Sequence, residues 1–465
     1  MNVHDSRRME EVLEQDGWSA TDDVTLASLI LFNTCSVREK AEQKLRSVVG
    51  TLKPLKETNP NLVIAIAGCV AQQEGESLLR RMPHVDVVIG PDNIPELPTL
   101  VESIRDGAPP IARTVFDNNA PTFLRASPRG TEAEVSAFVT IMKGCDERCS
   151  FCIVPYTRGS ERYRSADDIV GEVRALVDGG VREITLLGQT VNSWFDPSDG
   201  VAMEGDSRFA SLLTRIATEV PQLLRLRYTS PHPRHVTPAL VHAHANLSVL
   251  PAHVHLPVQS GSNRVLKRMI RRYTREDYIA RAKALQSARP NLTLSTDIIV
   301  GFPGETEAEF EETVSLVREV GFVAAFAFKY SQRPYTPALK LPDDVPEEVK
   351  DARLTRLLDV VEELQNAHLK TLVGTKQSVL IESPSRDGSG RYVGRTAQNE
   401  ITHIEVTDGL KPIGALVEVT IVEAFKHSLL GRMDGAIALP PQPLTVAKPR
   451  VKLPVTTADK FTHTT

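Results

Sequence analysis

The feature that most constrains the fold is an alternation of short apolar runs with helix-like stretches over most of the chain. Near the N-terminus, helix-like stretches at Arg38–Leu52 and Ala71–Arg81 separate apolar runs at Leu26–Asn33, Leu62–Ala67 and Val85–Ile89. Such alternation is typical of buried parallel strands joined by helices. We therefore predict an α/β multidomain protein whose N-terminal domain, residues 1–104, contains a parallel sheet.

The alternation resumes after residues 105–134, a segment rich in proline, asparagine and glycine that we interpret as a linker. Between residues 135 and 371, each strand candidate is followed by a helical pattern. The strand candidates are Phe138–Met142, Glu183–Leu187, Arg225–Tyr228, Ala252–Leu256, Thr293–Val300 and Ala324–Lys329. Six such units predict a (β/α)6 barrel, which is incomplete relative to the eight-unit form.

The C-terminal part changes character. A long amphipathic helix, Pro346–Leu372, precedes short strand candidates that are separated by glycine and aspartate. These candidates are Lys376–Ile381, Arg391–Thr396, Ile401–Val406 and Ala415–Ala424. They predict a small all-β domain over residues 372–436. The tail, 437–465, is rich in proline, lysine and threonine and is predicted to be disordered.

Length and composition exclude several classes of protein. A chain of 465 residues with 41% hydrophobic and 24% charged residues is typical of a globular protein with more than one domain. The longest apolar runs, such as Leu62–Val70, are much shorter than a membrane span. Met1–Asp16 has no apolar core of a secretory signal. We expect a cytoplasmic monomer without a membrane partner.

Three of the five cysteines lie on one short segment, where Cys145, Cys149 and Cys152 have the spacing C-x3-C-x2-C. Thiolates are the usual ligands of iron–sulfur clusters. Three of them can hold three corners of a 4Fe-4S cluster and leave one iron open to chelate S-adenosylmethionine (SAM), which an electron then cleaves to a radical. A structural zinc site requires four ligands, and a thioredoxin-like pair would not explain Cys145. We predict that these cysteines are the catalytic cluster ligands, as in the radical SAM superfamily.

Polar or glycine residues follow several of the predicted barrel strands. In barrels of this type, chemistry takes place on the loops after the carboxyl ends of the strands. We predict SAM contacts by Gln189, Asn192, Ser230, Gln259 and Gly301. Each of these residues could equally belong to an ordinary turn.

Several longer motifs resemble the methylthiotransferases, and most closely their MiaB-type branch, which modifies tRNA. The N-terminal motifs are NTCSVREKAEQK, AGCVAQQEGE and GPDNIPELP, and the barrel motifs are CSFCIVPYTRG, LPVQSGSNRVLKRMIRRYTREDY and STDIIVGFPGET. The resemblance implies that a methylthio group is added to carbon 2 of N(6)-dimethylallyladenosine at position 37 of tRNA, next to the anticodon. It also implies two 4Fe-4S clusters, SAM, an electron donor protein and a C-terminal RNA-binding TRAM domain.

The resemblance assigns the second cluster to the N-terminal domain, where Cys35 and Cys69 match two of the three family ligands. Both follow an apolar run and precede a helix-like stretch, so we expect them at one edge of the sheet. Two buried cysteines without a metal remain the alternative. The family motif Gly-Cys-Gln-Met-Asn would lie just upstream of Met1. We therefore expect a longer natural protein, or else a truncated one that cleaves SAM without transferring sulfur.

A basic strip, Asn263–Arg275, carries six cations and no acidic residue, although the net charge of the chain is -5. Its apolar residues have helical spacing, which predicts an amphipathic helix with an exposed basic face. The residues predicted to contact RNA phosphates are Arg264, Lys267, Arg268, Arg271 and Arg272. A solvated charged face is the alternative.

Two rival functions remain open from the sequence. One is methylthiolation of a ribosomal protein, and the other is an RNA-binding or redox-sensing protein without catalysis. The chain also departs from the family at Thr190, where asparagine is common, and at Tyr335, where glycine is usual. We expect strain at Tyr335 if its turn requires a positive φ.

Overall fold

The computed structural model describes residues 2–36, 39–118, 121–126, 134–200, 208–386, 388–406 and 412–433. The predicted tail, 437–465, lies outside them. The N-terminal domain is a four-stranded parallel sheet in the order β1-β2-β3-β4. Its elements are α1 Asn2–Gln15, β1 Leu29–Thr34, α2 Glu39–Gly50, α3 Lys53–Thr58, β2 Val63–Gly68, α4 Cys69–Glu74, α5 Glu76–Arg81, β3 Val87–Ile89, α6 Leu97–Arg105 and β4 Ile111–Arg113.

The pattern of buried residues explains the parallel sheet of this domain. Every residue of β2 is buried, because apolar side chains cover both of its faces. Two predictions require correction. Strand β4 pairs with β3 inside the segment predicted as a linker, so the linker assignment is wrong for Ile111–Arg113. The helix predicted over Ala71–Arg81 is two helices, since Gly75 between them has a φ of 51°.

The central domain is the predicted barrel. Its six parallel strands, β5, β8, β9, β10, β11 and β12, follow one another as two three-stranded sheets. The elements are β5 Ser136–Thr140, β6 Met142–Lys143, α7 Val154–Arg158, β7 Arg162–Tyr163, α8 Ala166–Asp178, β8 Glu183–Leu187, α9 Phe209–Glu219, β9 Arg225–Tyr228, α10 Pro238–Asn246, β10 His253–His255, α11 Asn263–Arg268, α12 Arg275–Ala288, β11 Thr293–Val300, α13 Glu307–Val320 and β12 Ala324–Lys329. The predicted (β/α)6 architecture is confirmed.

A closed five-stranded barrel in the order β13-β14-β15-β17-β16 forms the C-terminal domain, which confirms the small all-β prediction. The elements are α14 Glu347–Leu372, β13 Lys376–Pro384, β14 Tyr392–Arg395, β15 Ile401–Glu405, β16 Leu416–Ala424 and β17 Leu429–Met433. The sequence did not predict β17, whose five residues include Gly431. Helix α14 joins two cores: Leu357 packs in the central barrel, and Leu369 packs in the β-domain.

In the described part of the chain, none of the helices combines the length and the apolar character that are needed to cross a lipid bilayer.

Candidate active site

The loop that carries Cys145, Cys149 and Cys152 lies beyond the carboxyl end of β5, and backbone hydrogen bonds fix it at both ends. Cys145 N donates to Gly159 O at 3.1 Å, and Ser150 N donates to Met269 O at 3.0 Å. These bonds tie the loop to α7 and to the end of α11. These bonds therefore hold the three cysteines in fixed positions at the carboxyl end of the barrel strands.

The three thiols are free, and they lie in a setting that suits a metal cluster better than a bare thiolate. Burial raises the pKa of Cys145, and it raises the pKa of Cys152 to about 12. The positive charge of a metal would be required to hold such thiols deprotonated. Two polar side chains already contact the sulfurs: Thr190 Oγ1 lies 3.0 Å from Cys145 Sγ, and Arg271 donates to Cys149 Sγ at 3.3 Å. The donor set fits a 4Fe-4S cluster with one open iron.

Four predicted SAM-binding residues lie at the same end of the barrel as the cysteines. Gln189 follows β8, Ser230 follows β9, Gln259 follows β10 and Gly301 follows β11. The last three have positive φ angles of 58°, 74° and 67°. At Ser230 and Gln259, which are not glycine, this conformation is strained, and such strain concentrates at ligand sites. At Gly301 a Cβ would overlap the aliphatic part of Lys350, so only glycine fits there. Their contact with SAM remains a prediction.

Asn192, the fifth predicted SAM-binding residue, connects two loops of the barrel. Its side chain is fully buried and is used to hold the loop after β9. Nδ2 donates to His232 O at 3.0 Å, and Oδ1 accepts from His232 N at 2.7 Å. Both amide atoms are engaged in this loop-to-loop contact, so Asn192 positions the loop, and its contact with SAM stays a prediction.

The sequence did not reveal a cluster formed by Glu147, His232 and His235, whose ligand atoms lie within 4.8 Å of one another. Glu147 Oε1 lies 2.7 Å from His235 Nε2, and Arg234 and Arg272 also lower the pKa of Glu147. The carboxylate charge is thus already compensated, so we interpret the cluster as a brace between the cysteine loop and the loop after β9. Glu147 and His235 are 88 positions apart, and no local pattern connects them.

The other two cysteines lie side by side at the edge of the N-terminal sheet. Thr34 at the end of β1 pairs in register with Gly68 at the end of β2, so Cys35 and Cys69 follow neighbouring parallel strands. This arrangement is the one expected from the sequence. Buried Arg158, at the end of α7, hydrogen-bonds the Cys69 side chain and donates to Asp5 Oδ2 at 2.5 Å.

Cys69 lies near the barrel site: besides burial and Cys149, it contributes to the raised pKa of Cys152. The contact between α4 and α7 therefore brings the two groups of cysteines together. The sequence alone could not predict this, since it depends on how the N-terminal sheet packs against the barrel.

The basic strip is only partly helical, and one of its cations, Arg271, is buried. Helix α11 ends at Arg268, so the predicted helix over the whole strip is wrong. Arg271 is only 5% exposed and points toward Cys149, and Arg264 is paired with Glu309. Lys267 and Arg272 are exposed, and Arg268 is partly exposed. Arg264 is exposed as well but already has a counter-charge, so the other three remain the cations of the predicted set that are proposed to contact RNA.

Comparison with known families agrees with the three-domain architecture. The Radical SAM superfamily model matches residues 139–317, and the TRAM domain model matches residues 370–433. The model of the uncharacterized protein family UPF0004 matches residues 1–90. A solved structure of the radical SAM methyltransferase TsrM from Kitasatospora setae has a TM-score of 0.50 at 15% identity, covering 82% of this chain and 77% of that one. At this identity it supports the fold alone.

Two curated relatives cover nearly the whole chain, and both are named tRNA-2-methylthio-N(6)-dimethylallyladenosine synthase. The one from Sorangium cellulosum is 56% identical over 99% of this chain and 97% of its own length. The one from Bordetella avium is 46% identical over 94% of this chain and 90% of its own length. Together with the radical SAM match, these similarities establish that the chain belongs to the tRNA-2-methylthio-N(6)-dimethylallyladenosine synthase family of radical SAM enzymes.

Proposed function

We propose that this protein adds a methylthio group to carbon 2 of N(6)-dimethylallyladenosine at position 37 of tRNA. The observation that carries the proposal is the loop with Cys145, Cys149 and Cys152 at the mouth of a (β/α)6 barrel, beside the cysteine edge of the N-terminal sheet. Neither a ribosomal protein substrate nor a non-catalytic role is favoured by any observation.

The barrel cysteines would hold a 4Fe-4S cluster, which together with SAM supplies a 5′-deoxyadenosyl radical when both are bound. The surrounding residues position this site. Arg271 donates to the Cys149 sulfur, and Thr190 contacts the Cys145 sulfur, so both orient the ligands. Asn192 and Glu147 hold the loops that surround the cluster.

Cys35 and Cys69 would be ligands of a second 4Fe-4S cluster, the source of the transferred sulfur. Their position beside Cys152 supports this assignment, because a sulfur donor must lie within reach of the carbon radical formed at the barrel site. Arg158 would act there as a hydrogen-bond donor to the Cys69 thiolate.

The proposed RNA contacts are the TRAM domain and the cations Lys267, Arg268 and Arg272 of the basic strip. Bases in unpaired loops can leave the stack and enter an active site, and the anticodon loop provides such a base. Turnover also requires an electron donor protein. The proposed compartment is the cytoplasm, where tRNA is modified.

A direct test combines two measurements. The anaerobically reconstituted protein is incubated with SAM, a reductant and tRNA that carries dimethylallyladenosine, and the digested nucleosides are analysed by mass spectrometry. We expect the methylthiolated nucleoside and 5′-deoxyadenosine. Formation of 5′-deoxyadenosine without any modified nucleoside would refute methylthio transfer to tRNA by this chain, and absence of both would refute the radical chemistry.

A further inference from the structure

Two exposed tyrosines form a pair beside the cysteine loop. Tyr156 lies on α7, directly after the cluster loop, and Tyr335 lies on the loop after β12. Their ring centroids are 5.8 Å apart with an interplanar angle of 35°. Tyr156 is 45% exposed and Tyr335 is 63% exposed, so much of the Tyr335 ring is open to solvent. Exposed aromatic faces of this kind are available for stacking with a flat ring of a ligand.

The backbone of Tyr335 is held in a conformation that disfavours its side chain. Its φ is 67°, in the left-handed region that glycine adopts without strain and that bulky residues rarely adopt. The Tyr335 ring is therefore present at this position although its backbone conformation is unfavourable. Such strain is typical of functional sites, where the position of the side chain matters more than stability.

Hydrogen bonds through the cluster loop connect the surface that carries the tyrosine pair to the basic strip. Ala338 N, three residues after Tyr335, donates to Ser150 O at 2.8 Å, and Ser150 Oγ donates to Arg268 O at 2.8 Å. Below the surface, a small apolar core packs residues from α11, from the loops after β11 and β12, and from the cluster loop. The platform is thus fixed relative to the cations of the strip.

From this arrangement we infer that Tyr156 and Tyr335 are a stacking platform for an unpaired base of the RNA. The inference rests on the proposed function and adds residues that recognise its substrate. Aromatic faces beside cations are the features by which proteins bind single-stranded nucleic acid, because each base offers a flat π face and each nucleotide a phosphate. Lys267, Arg268 and Arg272 provide the phosphate contacts on this surface.

The base on the platform is a neighbour of the target adenine. The target must approach the cluster, and Cys149 is only 7% exposed, deep in the mouth of the barrel. The platform lies at the rim, where both rings face solvent. With one base stacked at the rim and the target adenine in the pocket, the RNA loop would be held open. The stacked base would then determine which nucleotide enters the barrel pocket.

The test compares Tyr335→Phe, which keeps the ring, with Tyr335→Leu and Tyr335→Gly, which remove it. Dissociation constants are measured with the reconstituted enzyme at fixed salt for an anticodon stem-loop RNA. The same RNA with an abasic site on either side of the target adenosine completes a double-mutant cycle. We expect normal binding for Tyr335→Phe and about tenfold weaker binding for the leucine and glycine variants. One of the two abasic sites should weaken wild-type binding and leave Tyr335→Leu unaffected.

The outcomes separate stacking from a structural role. Tyr335→Gly should unfold at a Tm no lower than the wild type, since glycine relieves the backbone strain. Equal binding of both RNAs by Tyr335→Leu and by the wild type would overturn the inference. A lowered Tm in every variant that binds weakly would also overturn it. If the wild type does not bind the stem-loop at all, the proposed function itself fails.

Discussion

The exposed cations of the basic strip allow a quantitative prediction about RNA binding. Of the five cations predicted to contact RNA, Arg271 is buried against Cys149, and exposed Arg264 already has Glu309 as its counter-charge. The test therefore uses Lys267, Arg268 and Arg272. Each phosphate that a protein cation neutralises on a single-stranded nucleic acid contributes about 0.7 to the slope of log K against log salt. The triple variant to glutamine should therefore lower the magnitude of this slope by about 2.

The assay measures the affinity for the anticodon stem-loop at several salt concentrations. A matched control replaces three arginines on the outer faces of the barrel helices, Arg174, Arg215 and Arg318, which are paired with acidic residues. This control removes the same formal charge. A control slope that falls as much as that of the strip variant would show a general charge effect, and an unchanged slope in the strip variant would show that the strip is merely solvated.

Three further predictions follow from the site and the core. Replacement of Cys145, Cys149 or Cys152 by alanine should lower iron content and abolish 5′-deoxyadenosine formation, and normal formation would refute the ligand assignment. Arg271→Met should make the midpoint potential of the SAM-responsive cluster more negative in an EPR-monitored titration, because a cationic hydrogen-bond donor to a cluster sulfur is lost, whereas Arg271→Lys should shift it less. Burial lowers the pKa of His244 to about 4, so the unfolded state binds more protons than the folded state between pH 6.5 and 4. The free energy of unfolding should fall by roughly 3 kcal/mol more in the wild type than in His244→Gln as the pH falls through this range, as measured by urea unfolding.

The strands of the barrel were predictable because their burial leaves a direct pattern in the sequence. Glu183–Leu187 and Thr293–Val300 consist of apolar or small residues except for Glu183 and Asp297. They are bounded by turn residues, and the structure has both with the predicted bounds. Strands β4 and β17 were not predictable. Their few residues, among them Arg113 and Gly431, form no alternating pattern. Each of these strands forms because its backbone pairs with the edge of a neighbouring strand.

The site was predictable to the extent that its residues are close in sequence. The three barrel cysteines form a local motif with a chemical reason for its spacing. The contacts that surround them, such as Glu147 with His235, join loops that only the closed barrel brings together. The proximity of Cys69 to Cys152 depends likewise on the packing of one domain against another.

The prediction that Arg271 contacts RNA is wrong because of the backbone conformation of a single neighbouring residue. Helix α11 ends in a Schellman motif: Arg271 N donates to Leu266 O at 3.0 Å, and Ile270 N donates to Lys267 O at 3.1 Å. The residue with positive φ in this motif is usually glycine, but here it is Ile270, with a φ of 59°. Since β-branched residues rarely adopt this conformation, the sequence contains no stop signal at Ile270, and the apolar residues keep their helical spacing beyond the end of the helix. The chain instead reverses at Ile270, which turns Arg271 away from the RNA face and places its guanidinium on the sulfur of Cys149.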